Sequence, residues 1–494
     1  MIFQGFLSAM APFNIFYALF GTGLGIVMGA IPGIGSSMTM ALLLPFTFWM
    51  TAEGALILLG SVYCGATFGG SISAILLNTP GTPASAATSF DGYPMAQQGK
   101  GMEAIGIAAM ASFVGGTAGL VLLFFLSPPL AEISLKFGPA ELFLLTLFTF
   151  IIISVTVLKE SVVKGLIALG LGLVLSGVGY DPISGALRFT FGLTYLEDGV
   201  QLVPAIIGLF AISEVFAFVE SGGTISNTLE AKGGLYKGFG LTFRYPATLI
   251  RSTVIGSVIG ALPGIGVSAA NIIAYVAAKA RSRNPDVFGK GTPEGVIAPE
   301  ASNNAVTCTS LIPTLTMGIP GSSSAALLMG ALMIHGLIPG SALFSTYGTV
   351  TYTFFFGLAL SNLFMLLVTM CTVRYLVKIT VVDVGFLIPI IVGLCFIGSY
   401  AMRNSIGDAV VTMAFGLLAF VMRKLKYPLI CLLLPIILGT MMERGYHQSL
   451  MISGGSFSIF WSSPISKFIL GITLFSLLYP LLRSLNGWRK KGAC

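Results

Sequence analysis

The stretch Gly29-Ala30-Ile31-Pro32-Gly33-Ile34-Gly35 recurs almost unchanged as Gly260-Ala261-Leu262-Pro263-Gly264-Ile265-Gly266, and each copy lies inside a long apolar run. Proline fixes φ and lacks an N–H group, while glycine frees the backbone, so each copy predicts a break in a helix. In a membrane such a break is tolerated only where the freed backbone is buried in protein or lines a polar cavity. The chain is therefore a doubled unit, and its two matched breaks indicate a transport site.

The composition predicts an all-α polytopic protein embedded in membrane lipid. Only 9% of the 494 residues are charged, against about 25% in an average globular protein. Hydrophobic residues make up 55% of the chain, and apolar runs of about 17 to 25 residues, the length that crosses a bilayer core, follow one another. The first charged side chain is Glu53, so the basic start of a cleavable signal peptide is not expected.

Metal, nucleotide and nucleic-acid sites are not indicated. The six cysteines have no C-x-x-C spacing, so neither a disulfide framework nor a metal site is predicted. The net charge of +7 comes from basic residues in short loops, where they set membrane orientation. The chain has two histidines, no His-Glu-x-x-His and no phosphate-binding Gly-Lys-Ser/Thr loop, so an intramembrane metalloprotease and a nucleotide enzyme are both disfavoured.

A second break follows each Pro-Gly-Ile-Gly copy about forty to fifty residues later, as Asn78–Ser85 in the first half and as Met317–Ser324 in the second. Glycine and proline are also common where membrane helices simply pack closely, and this is the alternative interpretation. Two copies of both breaks in the same order favour a transporter built from repeats.

We predict a first transmembrane repeat at residues 1–219, a polar and Gly-rich linker at 220–244, and a second repeat at 245–494. Basic loops stay in the cytoplasm, which places Lys164 inside and its counterpart region around Arg403 outside. Matched loops on opposite faces predict inverted-topology repeats.

The repeats are expected to contain broken helices and paired re-entrant-type hairpins. About eleven spanning helices plus two hairpins satisfy the loop charges, with the acidic loop Tyr180–Gln201 outside. Two full crossings in place of each re-entrant hairpin remain the alternative.

The stretch Glu294–Ala305 is unusually polar for a membrane protein, with Glu294, Glu300, Ser302, Asn303 and Asn304 close together. Ionisable groups at membrane depth are costly and are usually functional. The alternative is a cytoplasmic loop that extends over these residues.

These paired motifs resemble those of the large membrane subunit of the tripartite tricarboxylate transporters, the TctA family. The resemblance covers nearly the whole chain. It is carried by Gly29–Gly35 with Asn78–Pro83, and by Gly260–Gly266, Ala298–Ala305 and Met317–Ser322.

The resemblance implies a secondary transporter of the bacterial inner membrane that imports di- or tricarboxylates with Na⁺ or H⁺. It also implies two partners, a small four-helix membrane subunit and a periplasmic solute-binding protein. An elevator-type alternation between two membrane faces is implied as well. A facilitator or exporter of another small solute is the alternative within transport. An intramembrane enzyme is the alternative from another class, but no nucleophile, acid–base pair or metal set has suitable spacing.

The predicted substrate site lies between Thr82–Ser85 and Ser322–Ser324, the hydroxyl-rich segments that follow the second breaks. Each segment opens a helix, and a free helix N-terminus attracts an anion through its partial positive charge and unpaired N–H groups. The alternative is that these hydroxyls only cap their helices. The predicted substrate-binding residues are Asn78, Thr79, Pro80, Gly81, Thr82, Ser85, Pro320, Gly321, Ser322, Ser323 and Ser324.

The predicted cation site lies against the two Pro-Gly-Ile-Gly backbones. Unwound carbonyl groups supply the hard oxygen ligands that suit Na⁺, and the amides of the polar stretch add further oxygens. Protons are the alternative coupling ion, and no other cofactor is predicted. The predicted cation-binding residues are Pro32, Gly33, Gly35, Pro263, Gly264, Gly266, Ser302, Asn303 and Asn304.

Overall fold

The computed structural model describes residues 1–156, 162–181, 183–221, 233–263, 267–379 and 384–491. These residues are mostly helical, as the composition predicts. The helices of the first half are α1 (Ile2–Ala9), α2 (Pro12–Ala30), α3 (Ser36–Thr47), α4 (Ala52–Leu77), α5 (Ala86–Gln97), α6 (Gly101–Ser134), α7 (Pro139–Thr156), α8 (Val162–Ser176), α9 (Leu202–Ile207) and α10 (Ser213–Ser221).

Short pieces of other structure connect these helices. The strands β1 (Gly179–Tyr180) and β2 (Leu187–Arg188) form an antiparallel pair in which Tyr180 lies opposite Leu187. A π-helical turn, Gly208–Ile212, joins α9 to α10. Single turns of 3-10 helix lie at Pro83–Ser85, just before α5, and at Thr194–Leu196.

The second half continues in the same way. Its helices are α11 (Leu235–Thr242), α12 (Pro246–Ala261), α13 (Val267–Arg281), α14 (Pro293–Thr309), α15 (Leu311–Met317), α16 (Ser323–Ile334), α17 (Ser341–Phe344), α18 (Gly348–Ile379), α19 (Val384–Arg403), α20 (Ile406–Lys424), α21 (Leu429–Ile452) and α22 (Pro464–Lys491). Helix α11 lies inside the predicted linker at 220–244, so that segment is not a plain loop. Residues 222–232 of the same segment lie outside the described residues.

Seven helices in the described part of the chain are long and apolar enough to cross a membrane. They are Pro12–Ala30, Ala52–Leu77, Gly101–Ser134, Leu202–Glu220, Gly348–Val377, Ile406–Lys424 and Leu429–Ile452. Further apolar helices of 10 to 17 residues include α3, α8, α12 and α16. The protein is thus an all-α, multi-pass membrane protein.

A helix break stands at each predicted position. Helix α2 ends at Ala30 and α3 begins at Ser36, while α12 ends at Ala261 and α13 begins at Val267. The second breaks follow α4 and α15, and the residue after each helix, Asn78 or Gly318, has a left-handed backbone with φ of 55° or 69°. Glycine and asparagine are the residues that adopt this conformation most readily at a helix end.

The two halves use matched glycines to bring helices close together. Helix α2 packs along α4, where a Cβ added at Gly25 would lie 2.6 Å from the Val62 carbonyl oxygen. Helix α12 packs along α14 in the same manner, where a Cβ added at Gly256 would lie 2.5 Å from the Ser302 carbonyl oxygen. Small residues of this kind drive helix association in membranes, where apolar burial contributes little.

A buried carboxylate ties the halves together. Asp91 on α5 is fully buried. It accepts a hydrogen bond from the Tyr275 hydroxyl at 2.8 Å and bonds of 2.8 to 3.0 Å from the backbone N–H groups of Gly289, Gly291 and Thr292. These four donors belong to α13 and to the loop that leads into α14, so a first-half helix anchors a second-half loop.

Candidate functional site

We call α2 and α3, on either side of the first Pro-Gly-Ile-Gly break, the first hairpin, and α12 and α13 the second hairpin. A cavity of about 470 Å³ lies where the first hairpin meets the start of α16 and the end of α20. Three helix starts face it, because the cavity is lined by residues at the beginning of α3, of the turn before α5, and of α16. The lining residues are Gly33, Gly35, Ser36, Ser37, Met38, Pro80, Gly81, Thr82, Pro83, Ala86, Phe210, Glu214, Ser323 and Arg423.

The cavity brings together residues from both predicted sites. Pro80, Gly81, Thr82 and Ser323 belong to the predicted substrate set, while Gly33 and Gly35 belong to the predicted cation set. The first Pro-Gly-Ile-Gly break and the first Pro-Gly break after α4 thus form one wall.

Close backbone packing shapes this wall. The Gly81 N–H donates to the Gly70 carbonyl oxygen at 3.2 Å. A Cβ added at Gly81 would collide with the Gly29 carbonyl oxygen and would lie 2.8 Å from the Gly70 Cα. Gly33 has a φ of 85°, which side chains rarely adopt. Glycine is required at both positions.

Hydroxyl groups join the halves at the cavity edge. The Ser324 Oγ lies 2.8 Å from the Ser36 Oγ and 3.1 Å from the Ser37 Oγ. The Ser322 Oγ accepts a bond of 3.1 Å from the Ala325 N–H and lies 3.0 Å from the Tyr63 hydroxyl. Ser322 therefore caps α16, as the alternative interpretation of these hydroxyls proposed, while Ser324 contacts the opposite hairpin.

The other predicted substrate residues lie away from the cavity lining. Asn78 and Thr79 are exposed at the end of α4. Gly321 lies beside Ser310, where an added Cβ would be 3.2 Å from the Ser310 Cβ, and Pro320 is buried next to it. Ser85 is fully buried beneath Thr82, and the two hydroxyl oxygens are 3.0 Å apart.

The polar stretch is helical and buried. Residues Gly295–Thr309 of α14 are all buried, so the alternative of an extended cytoplasmic loop is wrong. Glu294, in the first turn, accepts bonds from the hydroxyls of Thr248 at 2.7 Å and Ser282 at 2.8 Å.

Ser302, Asn303 and Asn304 point in different directions, since neighbouring helical residues are about 100° apart. Ser302 lies against α12, the Asn303 amide donates to the Thr67 carbonyl oxygen at 3.4 Å, and the Asn304 amide contacts the Met365 sulfur at 3.2 Å. The side-chain oxygens of all three have no hydrogen-bond partner among the described residues. Of the second Pro-Gly-Ile-Gly copy, Gly264 and Gly266 lie outside the described residues, and Pro263, like Pro32, is not part of the cavity lining.

The predicted site residues omit several lining residues, among them Arg423, Glu214 and Phe210. The Arg423 guanidinium at the end of α20 donates to the Glu214 carboxylate on α10, and both side chains line the cavity. Phe210 lies in the π-helical turn, a feature that often marks functional sites.

Comparison with known families decides what kind of protein carries this cavity. The model of the tripartite tricarboxylate transporter TctA family matches residues 15–434. The chain belongs to the TctA family. Every lining residue of the cavity falls inside the matched range, and the membership confirms the resemblance carried by the paired motifs.

Two proteins of Agrobacterium vitis are similar to this TctA-family chain. One, described as an uncharacterized 52.8 kDa protein in the TAR-I ttuC' 3'region, is 34% identical over 487 residues, which are 99% of this chain and 97% of the relative. The other, described as an uncharacterized protein in the TAR-II ttuC' 3'region, is 32% identical over 234 residues, which are 47% of this chain and 97% of the relative. No solved structure matches the chain.

Proposed function

We propose that this TctA-family protein is the large membrane subunit of a tripartite system that imports di- or tricarboxylates across the bacterial inner membrane. A periplasmic solute-binding protein delivers the substrate, and a small four-helix membrane subunit completes the complex. The observation that carries the proposal is the cavity in which three helix starts, several hydroxyls and one guanidinium converge.

The cavity chemistry suits a substrate with more than one carboxylate. Thr82 and Ser323 present hydroxyls from the two halves, and the three helix starts add positive partial charge. Arg423 supplies a planar pair of donors that matches a carboxylate. A volume of about 470 Å³ lies in the range of small-molecule sites.

The inverted-repeat architecture is part of the proposal and is supported by which loops meet. The Lys164 Nζ donates to the Leu425 carbonyl oxygen at 2.6 Å, beyond one end of α20. Beyond the other end, Arg403 pairs with Asp408 at 2.7 Å and with Asp198 at 3.6 Å. These two groups of loops are the ones that the charge pattern assigned to opposite faces.

Coupling to Na⁺ or H⁺ is likewise proposed. The Asn303 amide oxygen is buried and has no hydrogen-bond partner among the described residues, and the amide nitrogen donates to Thr67 of α4. Such an oxygen is suited to a cation. Gly33 and Gly35 bring the first Pro-Gly-Ile-Gly backbone to the cavity itself. A passive facilitator would need no such site.

The test is uptake of radiolabelled carboxylates into proteoliposomes that hold this chain with its two partner subunits. Across a panel of mono-, di- and tricarboxylates we expect accumulation of di- or tricarboxylates only when the binding protein and an inward cation gradient are present. Replacing Na⁺ by choline at fixed pH separates Na⁺ coupling from H⁺ coupling. Equilibration without accumulation would identify a facilitator instead.

A further inference from the structure

The Glu300 carboxyl group on α14 is fully buried and surrounded by hydroxyls. Its Oε1 accepts hydrogen bonds from the Ser71 Oγ at 2.6 Å and from the Thr88 Oγ1, and its Oε2 accepts one from the Ser112 Oγ at 2.8 Å. The three donors stand on α4, α5 and α6. A buried ionisable group at membrane depth is costly and therefore needs a functional account.

No charged partner neutralises Glu300 within the described ranges. The ionisable groups on the helices packed around it are engaged elsewhere or exposed. Among the acidic groups, Asp91 binds Tyr275 and a loop backbone, Glu103 pairs with Lys237 at 2.8 Å, and Glu294 binds Thr248 and Ser282. Among the basic groups, the Arg251 guanidinium donates to the Ala277 carbonyl oxygen at 3.3 Å, and Lys279 and Arg281 are exposed.

A line of hydroxyls connects Glu300 to the cavity. The Ser71 Oγ lies 3.3 Å from the Ser85 Oγ, and the Ser85 Oγ lies 3.0 Å from the Thr82 Oγ1. Thr82 lines the cavity. We call Thr82, Ser85 and Ser71 the hydroxyl relay. In the Ser71–Ser85 bond Ser71 is the donor. Each hydroxyl has one proton, so Ser71 can donate to Glu300 or to Ser85 but not to both.

The ionised carboxylate takes the Ser71 proton away from the hydroxyl relay. It can only accept, so Ser71 donates to Glu300 and no longer donates to Ser85. Ser85 then has no donor behind it, and the chain of hydrogen bonds that would strengthen donation from Thr82 to a substrate carboxylate is interrupted.

The protonated carboxyl group leaves the Ser71 proton free for Ser85. Its O–H donates to Ser71, Ser71 donates to Ser85, and Ser85 donates to Thr82, while Thr88 and Ser112 still donate to Glu300. The Thr82 proton is then free to bond a substrate carboxylate. Protonation of Glu300 and anion binding therefore favour each other, and by reciprocity the anion raises the proton affinity of Glu300.

From this geometry we propose that Glu300 is the proton site of the transport cycle and that the hydroxyl relay couples its protonation to substrate binding. The inference rests on the proposed transport function and names its coupling ion. The three hydroxyl donors occupy three of the about four lone-pair sites of the carboxylate, and the one that is left suits a single proton. One proton enters with the anion and leaves with it, so no redox or covalent step is involved.

The experiment uses the assembled complex in proteoliposomes, with citrate as the probe and the membrane potential clamped to zero. Three quantities are measured: citrate counterflow exchange, citrate accumulation driven by an inward pH gradient, and alkalinisation of the outer medium during uptake. For the wild type, one linked proton changes the apparent citrate affinity by up to about tenfold per pH unit, with weaker binding as pH rises.

In Glu300→Gln, whose amide can donate as the protonated acid does, we expect counterflow to persist. Gradient-driven accumulation and proton uptake should be lost, and the pH dependence should fall to that of citrate itself. Ser85→Ala interrupts the hydroxyl relay but leaves all three Glu300 donors, and should uncouple in the same direction. The matched controls are Glu294→Gln, a hydroxyl-bound carboxylate on the same helix, and Ser89→Ala on α5; both should behave as wild type.

Wild-type proton uptake and accumulation by Glu300→Gln would overturn the inference. Loss of counterflow together with accumulation, at wild-type abundance and assembly, would also overturn it, because Glu300 would then be purely structural. If Glu300→Gln does not insert into the membrane, Ser85→Ala decides, and unchanged proton coupling in that variant overturns the inference. If wild-type protein neither exchanges nor accumulates any carboxylate of the panel, the proposed function fails before the inference is reached.

Discussion

At the scale of single residues, some residues of the cavity can bind a substrate, and others only determine the shape of the cavity. Arg423 is about one-third exposed and already shares its guanidinium with Glu214, so a substrate carboxylate would compete for donors that are in place. Gly81 offers no side chain at all, yet its contact with Gly29 fixes how the backbone turns into the cavity.

We predict that Arg423→Gln weakens the apparent affinity for the transported carboxylate by about ten- to a hundredfold, because it removes one charge-assisted hydrogen bond, which contributes about 1.5 to 3 kcal/mol. Initial uptake rates measured against substrate concentration give the affinity.

The matched control for this change is Lys424→Gln, which removes a neighbouring charge that pairs with Glu220 at 2.7 Å outside the cavity. Glu214→Gln should act oppositely and tighten binding, since it frees the guanidinium. Equal effects of Arg423→Gln and Lys424→Gln would assign Arg423 to membrane orientation only.

The two Pro-Gly breaks differ in how much space surrounds their glycines. Gly81→Ala is expected to abolish uptake and lower thermal stability, because its Cβ collides with a backbone oxygen. Gly321→Ala is expected to retain most of the uptake, since its Cβ meets only the Ser310 Cβ at 3.2 Å. The larger Gly321→Val is still expected to abolish uptake. Uptake at equal membrane abundance, with melting followed by fluorescence, checks the series.

The residues that sequence could predict are those with local signals. Proline and glycine report on their own backbone, so Gly33, Gly35, Pro80 and Gly81 were placed in a site without any tertiary information. Arg423 could not be predicted as a site residue, because a basic residue at a helix end has the same local sequence pattern whether it faces lipid headgroups or a cavity. The local sequence around Glu300 does not identify its three hydroxyl donors, because they come from helices distant in sequence.

At the scale of helices, a charged residue in the sequence does not reliably mark the end of a membrane helix. Helix α21 runs from Leu429 to Ile452 and continues past the charged residue Glu443. It does so because the Arg188 guanidinium donates two hydrogen bonds to Glu443, at 2.6 and 3.0 Å, from the β1–β2 region. The π-helical turn before α10 was also missed, since one extra residue within an apolar run leaves no periodic signal.

The orientation of the helices gives a labelling prediction. Single cysteines at Lys164 and Arg403 in a cysteine-free background should react with a membrane-impermeant reagent from opposite faces, because these residues lie near opposite ends of α20. Sealed inside-out and right-side-out vesicles distinguish the faces. Reaction of both positions from one face would contradict the inverted repeats.

At the scale of the whole molecule, the halves meet around the cavity through hydroxyl contacts. Ser36 and Ser37 of the first hairpin meet Ser324 of the second half, and the Asn271 amide on α13 donates to the Ala84 carbonyl oxygen at 2.8 Å. The hairpin of each half thus contacts the segment after the second break of the other half. The order of motifs predicted that the halves would meet, but only tertiary packing chooses these partners.

We predict that joining this contact covalently stops transport. Ser36→Cys with Ser324→Cys, in a cysteine-free background, should form a disulfide on oxidation because the Oγ atoms are 2.8 Å apart. Uptake should fall to background and recover with dithiothreitol, since the substrate must pass between elements that the bond holds together. Uptake by each single-cysteine variant should not change on oxidation. Full uptake by the oxidised pair would show that the contact stays closed throughout the cycle.

The hydrogen bonds of Asp91, which we call the Asp91 clasp, have a consequence for how such a protein can be encoded. Four hydrogen bonds to one buried carboxylate hold the loop of one half against a helix of the other, and bonds to charged groups contribute about 1.5 to 3 kcal/mol each. The clasp does not depend on the peptide that runs from Ser221 to Gly233. A reading frame divided there into two separately translated fragments should therefore still yield a co-purifying pair, and Asp91→Ala should prevent the fragments from reassembling.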